Sequence, residues 1–287
     1  MKLCGPPHII RRGPVSIQYR FKTLEDFLIS TPLTVDGTLN DGWGAYFPVK
    51  GKEIEATILF ADIGGFSART KDLSPTETLI FVNNFFSWIT AEAFKDRPCI
   101  VDKYIGDAVM LLFAKDFGSE DPFVDALQTA RWMAEFDAHG FCPHMGVATG
   151  LVTAGFVGTP VKYNCSVLGL PVTLASRCAS VKPEKQDRFY SSSIAFPASE
   201  WASRDFDKVF PPRKTSGLDG ELEEEPHGWE LLPERIVDLR NLGETSIREI
   251  ANKVIHLPSL SPEDRARLSL NRLKEAGLYR PQLRGHP

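Results

Sequence analysis

The chain has little of what a membrane protein needs. Its richest apolar run, Ala108 to Ala114, is seven residues long, against the ~20 of a spanning helix. The opening stretch MKLCGPPHIIRRGP has no continuous apolar core of the kind a secretion signal carries. Both absences predict a cytoplasmic protein without membrane contact. Cysteine is sparse: Cys4, Cys99, Cys142, Cys165 and Cys178 are odd in number and dispersed, with no CxxC pair and no histidine cluster nearby. Nothing in that pattern suggests a zinc site, and reduced cytosolic thiols are the preferred reading. Positive charge is not in excess either. Thirty-three Lys and Arg face 37 Asp and Glu, for a net charge of −4. No overall positive field recruits nucleic acid, and a small-molecule partner is expected. Internal repeats and long low-complexity tracts are also missing.

What remains is an ordinary globular composition, 43% hydrophobic and 24% charged over 287 residues, enough for one sizeable domain with extensions. The expected division is an N-terminal arm (1–52), a central domain (53–257) and a C-terminal helical tail (258–287). The first 50 residues mix Pro, Gly and short apolar patches and read as irregular chain. From Glu53 the texture changes: Ile54, Ala56, Ile58, Phe60 and Asp62 alternate with Glu55, Thr57, Leu59 and Ala61 up to Gly64-Gly65. This predicts a buried strand ending in a tight turn, with Asp62 at its end.

Ser74-Pro75-Thr76-Glu77 carries the signature of a helix start, with Ser as N-cap, Pro at the first position and Glu at the third. Leu79, Val82, Phe85, Phe86 and Ile89 follow at helical spacing. Two apolar runs, Cys99 to Tyr104 and Ala108 to Phe113, flank Ile105-Gly106-Asp107 and predict a hairpin whose turn carries a carboxylate. A second helix is expected over 121–139, then a β pair formed by His144 to Gly150 and Leu151 to Val157. The order β-α-β-β-α-β is the ferredoxin-like α+β pattern, an antiparallel sheet with helices on one face. Further on, Val172 to Ser180 reads as helix, Arg188 to Ala195 as strand, Lys214 to Gly228 as exposed loop, and the chain from Ser261 as a charged helix with a loose tail.

Asp62 and Asp107 thus fall at neighbouring strand ends, and hard carboxylate oxygens suit magnesium or manganese. Taken alone, aspartates at strand ends are commonly turn formers. Their context is more specific. FADIGGFS (Phe60 to Ser67), KYIGD (Lys103 to Asp107), GVATGLVTAG (Gly146 to Gly155) and SVLGLPVTLASR (Ser166 to Arg177) occur in this order. Together they resemble the catalytic domain of the class III adenylyl and guanylyl cyclases, over about residues 53 to 180.

The resemblance implies an enzyme that closes a nucleoside triphosphate into a 3′,5′-cyclic nucleotide and pyrophosphate with two divalent metal ions, Mn2+ or Mg2+. It makes Asp62, Asp107 and the carbonyl of Ile63 the metal ligands. Gly64, Gly65, Phe66 and Ser67 would offer backbone N–H groups to the phosphates. Phe60 either borders the nucleotide or belongs to the core. Lys103 and Ser166 match the base-reading positions, and Arg177 matches the arginine that stabilises the transferring phosphoryl group. Thr173 departs from the family, which usually has Asn there. The resemblance further implies a homodimer whose sites lie at the subunit interface. The short arms around the catalytic unit resemble the bacterial pyrimidine cyclases of anti-phage (Pycsar-type) signalling. That layout points to UTP as substrate, cyclic UMP as product and a cyclic-nucleotide-responsive effector downstream. A soluble adenylate cyclase is the alternative, favoured by Lys103, and Thr173 motivates a third reading, a silent nucleotide-binding regulator.

Overall fold

The computed structural model describes residues 20–40, 42, 46–94, 97–135, 137, 140–159, 161–182, 190–202, 204–216, 222–225, 228–253 and 262–275. In chain order these form α1 (Leu24–Ser30), β1 (Val35–Asn40), β2 (Tyr46–Asp62), α2 (Phe66–Thr70), α3 (Pro75–Ala93), β3 (Ile100–Ile105), β4 (Ala108–Phe113), α4 (Pro122–Glu135), β5 (His144–Thr159) and β6 (Lys162–Leu168). There follow α5 (Leu170–Ala179), β7 (Tyr190–Pro197), α6 (Phe206–Val209), β8 (Arg213–Ser216), β9 (Leu222–Glu225), β10 (Trp229–Leu231), β11 (Arg235–Leu239), β12 (Gly243–Lys253) and α7 (Pro262–Glu275).

A ten-stranded sheet runs β10-β12-β7-β5-β2-β4-β3, with β1, β6 and β11 paired along its flanks. β2 lies near its middle; its later part, Ala56 to Ala61, is buried on both faces and reads as a nearly continuous apolar run, while its first half alternates with exposed residues. Leu59 and Ala61 join a core with Phe81, Phe85, Phe123 and Leu127 of α3 and α4. Ile58 and Phe60 point the other way, into a core with Phe27 of α1 and Ala175 and Ala179 of α5. The α+β unit therefore carries α3 and α4 on one face, as the βαββαβ order predicts, while α1 and α5 cover the other. The pairing is antiparallel except for β5 with β7, so the sheet is mixed.

α3 begins as its sequence dictates. Ser74 Oγ accepts from the N–H of Glu77, and the Glu77 carboxylate accepts from the N–H of Ser74, with Pro75 behind the cap. Such a box contributes about 1 kcal/mol. The buried stripe is Phe81, Phe85 and Ile89, whereas Leu79, expected on that face, is 63% exposed.

Three expectations change in detail. His144 to Gly150 and Leu151 to Val157 are not a pair but one strand, β5, which passes through Gly150 and pairs with β6 beyond the turn. The stretch read as a loop from Lys214 contains the hairpin of β8 and β9. The early chain is more regular than expected, since α1 packs Leu24, Phe27 and Leu28 against the sheet and β1 pairs with β2. Residues 1–19, the start of the strand expected from Arg188, Ser261 and the tail after Glu275 lie outside the described residues. Among the described residues no helix is long and apolar enough to cross a membrane.

Candidate active site

The register of β2 builds the site. Asp62, its last residue, pairs with Ala108 of β4 on one side and with His144 of β5 on the other. Asp107 immediately precedes Ala108 in the β3–β4 turn, where Gly106 takes the left-handed conformation (φ 62°) that a tight turn requires. Both carboxylates therefore arrive at one end of the sheet. Asp62 is half-buried and its carboxyl is pushed up to about 7, by burial first and then by the negative charge of Asp107; Lys182 and the backbone N–H groups of His144 and Asp62 pull it down. Burial also raises Asp107, while the N–H groups of Asp107 itself and of Ile63 donate to it and lower it.

The loop after Asp62 is a closed turn. Gly64 N–H donates to the carbonyl of Phe141 (3.2 Å) and Phe66 N–H to that of Ile63 (3.2 Å). Of the backbone donors assigned to phosphates, those of Gly64 and Phe66 are thus engaged within the chain, leaving Gly65 and Ser67 at the start of α2. Glycine is needed at position 64 for space: a Cβ there would lie 2.4 Å from the carbonyl oxygen of Cys142. Arg69, buried in α2, fixes the loop by donating to the carbonyl of Gly140 at 2.6 Å.

A cavity of about 310 Å³ opens beside Asp62, walled by Phe60, Ile105 and Ala108 on the sheet side and by Thr173, Ser176 and Arg177 of α5. α5 lies this close because β5 has glycine at position 146, where a Cβ would meet the carbonyl oxygen of Ala175 at 2.0 Å and the nitrogen of Ala179 at 2.2 Å. Phe60 is both core and wall, 6% exposed and lining the cavity. Two buried polar atoms here have no hydrogen-bond partner, Oδ1 of Asp62 and Nε of Arg177. An anionic oxygen and a cationic donor on opposite walls are groups that a bound cation and a bound anion would satisfy. With the Ile63 carbonyl, the two carboxylates form a hard-oxygen set small enough to leave coordination positions to phosphate oxygens and water, so these residues fit a divalent ion.

Lys103 and Ser166 meet outside this cavity. Lys103 Nζ is hydrogen-bonded to Ser166 Oγ, Ser166 Oγ donates to Asp102 Oδ2 at 3.0 Å, and Lys103 Nζ lies 3.2 Å from the same oxygen. Sequence reading did not single out Asp102, His144 or Lys182. His144 is held neutral, its pKa lowered to about 4 by burial and then by Lys182 and Arg69, and its ring lies 3.4 Å from Ser193 Oγ. The adjacency of Asp62 and His144 follows from strand register alone, which no local motif announces. A larger cavity of about 440 Å³, around Thr57, Glu200 and Arg204, contains none of the residues selected from the sequence. Its Arg204 is engaged with Asp121 at 2.7 Å.

Residues 49–187 match the family model of the adenylate and guanylate cyclase catalytic domain. An uncharacterized protein of Mycobacterium tuberculosis is 32% identical over 146 residues, 50% of this chain and 26% of that protein. A second from the same organism is 27% identical over 158 residues, 54% of this chain and 29% of its own length. The chain thus spans about a quarter of the length of the curated relatives it matches. Among solved structures, the adenylyl cyclase CyaB from P. aeruginosa superposes with a TM-score of 0.51 at 18% identity, over 72% of this chain and 99% of that one, a likeness of fold. With the match spanning every element that lines the cavity, residues 49–187 are an adenylate and guanylate cyclase catalytic domain of class III.

Proposed function

We propose that the chain is an active nucleotidyl cyclase, converting a nucleoside triphosphate into its 3′,5′-cyclic monophosphate and pyrophosphate. The observation that carries this reading is the convergence of Asp62 and Asp107 at one sheet end, where Asp62 lines a cavity that Arg177 also lines. In the reaction the ribose 3′-oxygen attacks the α-phosphorus, the bond to the pyrophosphate oxygen breaks, and the 3′-hydroxyl proton leaves to solvent. Asp62, Asp107 and the Ile63 carbonyl would hold the divalent cations that class III cyclases use, Mn2+ or Mg2+, which supply Lewis acidity toward the 3′-hydroxyl and the phosphates. Arg177 is permanently charged and spreads the charge that builds on the transferring phosphoryl group. Thr173 lines the same cavity at the position where the family usually has asparagine. Phe60 closes the floor of the cavity against water.

The dimer belongs to this reading. Lys103 and Ser166 lie outside the cavity that holds Asp62, and Tyr104, Ile105, Leu151, Leu168 and Leu170 are each about half exposed or more. A second copy would cover those apolar side chains and bring a base-reading pair to the metal carboxylates. UTP, giving cyclic UMP, is the substrate assigned first, and ATP the alternative. Purified protein incubated with Mn2+ and each of the four triphosphates tests the reading by mass-spectrometric product analysis. A cyclic nucleotide that disappears in Asp107→Ala is expected; no cyclic product from any triphosphate overturns the activity and leaves a silent regulator.

A further inference from the structure

Arg235 ties the exit of α5 to strands that lie beyond residues 49–187. In the β11–β12 ladder Arg235 pairs with Ile247, and Glu249 stands two residues further along β12, on the same face of the sheet. β7 continues that face, since Glu249 pairs with Ala195. Ala195, Leu239 and Ile247 form a small core with Cys178 of α5 and with Val181 just after it. The end of α5 therefore has two supports. Ala175 and Ala179 pack closely over Gly146 of β5, while Cys178 and Val181 rest on this second platform.

Within the platform the Glu249 side chain is 2% exposed and that of Arg235 26%. Arg235 Nε and one terminal nitrogen donate to the same carboxylate oxygen, Glu249 Oε2, at 2.9 and 2.7 Å. That terminal nitrogen also donates to the carbonyl of Lys182 at 2.6 Å. A guanidinium is planar with its N–H groups fixed in direction, so a buried carboxylate that grips one edge aims the remaining donors. The bond closes on the chain two residues past Ser180, the C-cap of α5. Between these points the N–H groups of Ser180 and Val181 donate back to the carbonyls of Arg177 and Cys178. Fixing Lys182 thus fixes the turn that carries Arg177. The Lys182 side chain bears on the site as well, because its charge pulls down the pKa of both Asp62 and His144.

We propose that Arg235, aimed by Glu249, is a positioning residue for the cyclase reaction, holding the end of α5 so that Arg177 keeps its place in the cavity of Asp62. The proposal rests on the cyclase reading. It makes β11 and β12 part of the active unit: they touch no reacting atom, yet they set where the transition-state cation stands.

The test uses the full chain with Mn2+ and whichever triphosphate the wild type cyclises. Arg235→Met/Glu249→Leu removes both charges at similar volume, a replacement that commonly leaves stability unchanged or raised, and its melting temperature checks the fold. kcat should fall about tenfold or more, as for a displaced catalytic group, with KM within about twofold of wild type. The Mn2+-dependent rise in melting temperature should persist, since Asp62 and Asp107 belong to the sheet and its turn. Arg177→Lys keeps a cation without the fork; in that background the double substitution should cost less than about twofold further, because its effect passes through Arg177. Wild-type kcat in the double variant, or an equal fall in the Arg177→Lys background, overturns the proposal. Joint loss of melting temperature, Mn2+ response and turnover also overturns it, as the mark of a purely structural pair. No cyclic product from the wild type sinks the cyclase reading, whereas wild-type turnover that the double variant retains sinks the role of Arg235 alone.

Discussion

Asp62 and Asp107 are brought together by strand register: Asp62 pairs with Ala108, the residue after Asp107, and the charge of Asp107 helps push the Asp62 carboxyl up to about 7. A carboxyl whose ionisation is opposed by burial and by a neighbouring carboxylate carries an electrostatic cost, and a divalent cation shared by the two would turn that cost into binding energy.

Mn2+ or Mg2+ should therefore stabilise the wild-type protein. At a concentration about a hundredfold above the dissociation constant the gain is about 2.7 kcal/mol, several degrees in melting temperature. Asp62→Asn should lose that metal-dependent shift and lose turnover. In metal-free buffer at neutral pH or above it should melt no lower than wild type, because it removes a buried charge while keeping the shape. Scanning fluorimetry with and without metal reads all of this, and an unchanged metal-dependent shift in Asp62→Asn would remove Asp62 from the ligand set.

Thr173 stands on α5 one turn before Arg177, and both line the cavity. A threonine hydroxyl is shorter than an asparagine amide and offers one donor where the amide offers two. Because a single positioned donor is worth about 10²–10³ in rate, Thr173→Asn should raise kcat by about tenfold or more while leaving KM nearly unchanged. A fall in kcat would show that the pocket is built around the hydroxyl.

The sequence announced the parts of this site that are local and hid those that depend on pairing. Asp62 at a strand end, the Ser74–Glu77 cap and the carboxylate in the Ile105-Gly106-Asp107 turn are written in contiguous residues. Gly150 misled because glycine inside a strand pattern signals a turn, yet β5 runs straight through it. α5 on the second face was not anticipated as a cover because only ten residues form it. Asp102 was hidden by alternation, which sends neighbours to opposite faces unless a bulge intervenes. His144 and Lys182 reach Asp62 through register and the end of α5, where no motif marks them.

Complementation separates a site within one chain from a site between two. Arg177 of the same chain faces the cavity of Asp62, whereas the exposed apolar residues around Ile105 and Leu170 favour a partner's contribution. Asp62→Asn and Arg177→Ala should each be inactive alone. If the two groups act across a two-fold interface, mixing the variants in equal amounts restores one intact site in each mixed dimer, or about a quarter of wild-type activity. A mixture that stays inactive after subunit exchange would assign the reaction to the single-chain cavity.

Gly146 gives the last prediction, and it tests whether the position of α5 matters to the site. A methyl group there would collide with the backbone of Ala175 and Ala179 at 2.0 and 2.2 Å, and backbone atoms inside a helix cannot swing aside as a side chain can. Gly146→Ala must therefore push α5 away from β5, at a cost of typically about 1–3 kcal/mol for an overpacked core. The same displacement carries Thr173 and Arg177 away from Asp62, so kcat should fall by about 10²-fold, the loss attached to a misplacement of about 1 Å. Metal-dependent stabilisation should survive, because Asp62, Ile63 and Asp107 belong to the sheet and its turns. Loss of both together would mean that α5 also supports the carboxylates, and full activity in Gly146→Ala would contradict the close packing of α5 on which the cavity depends.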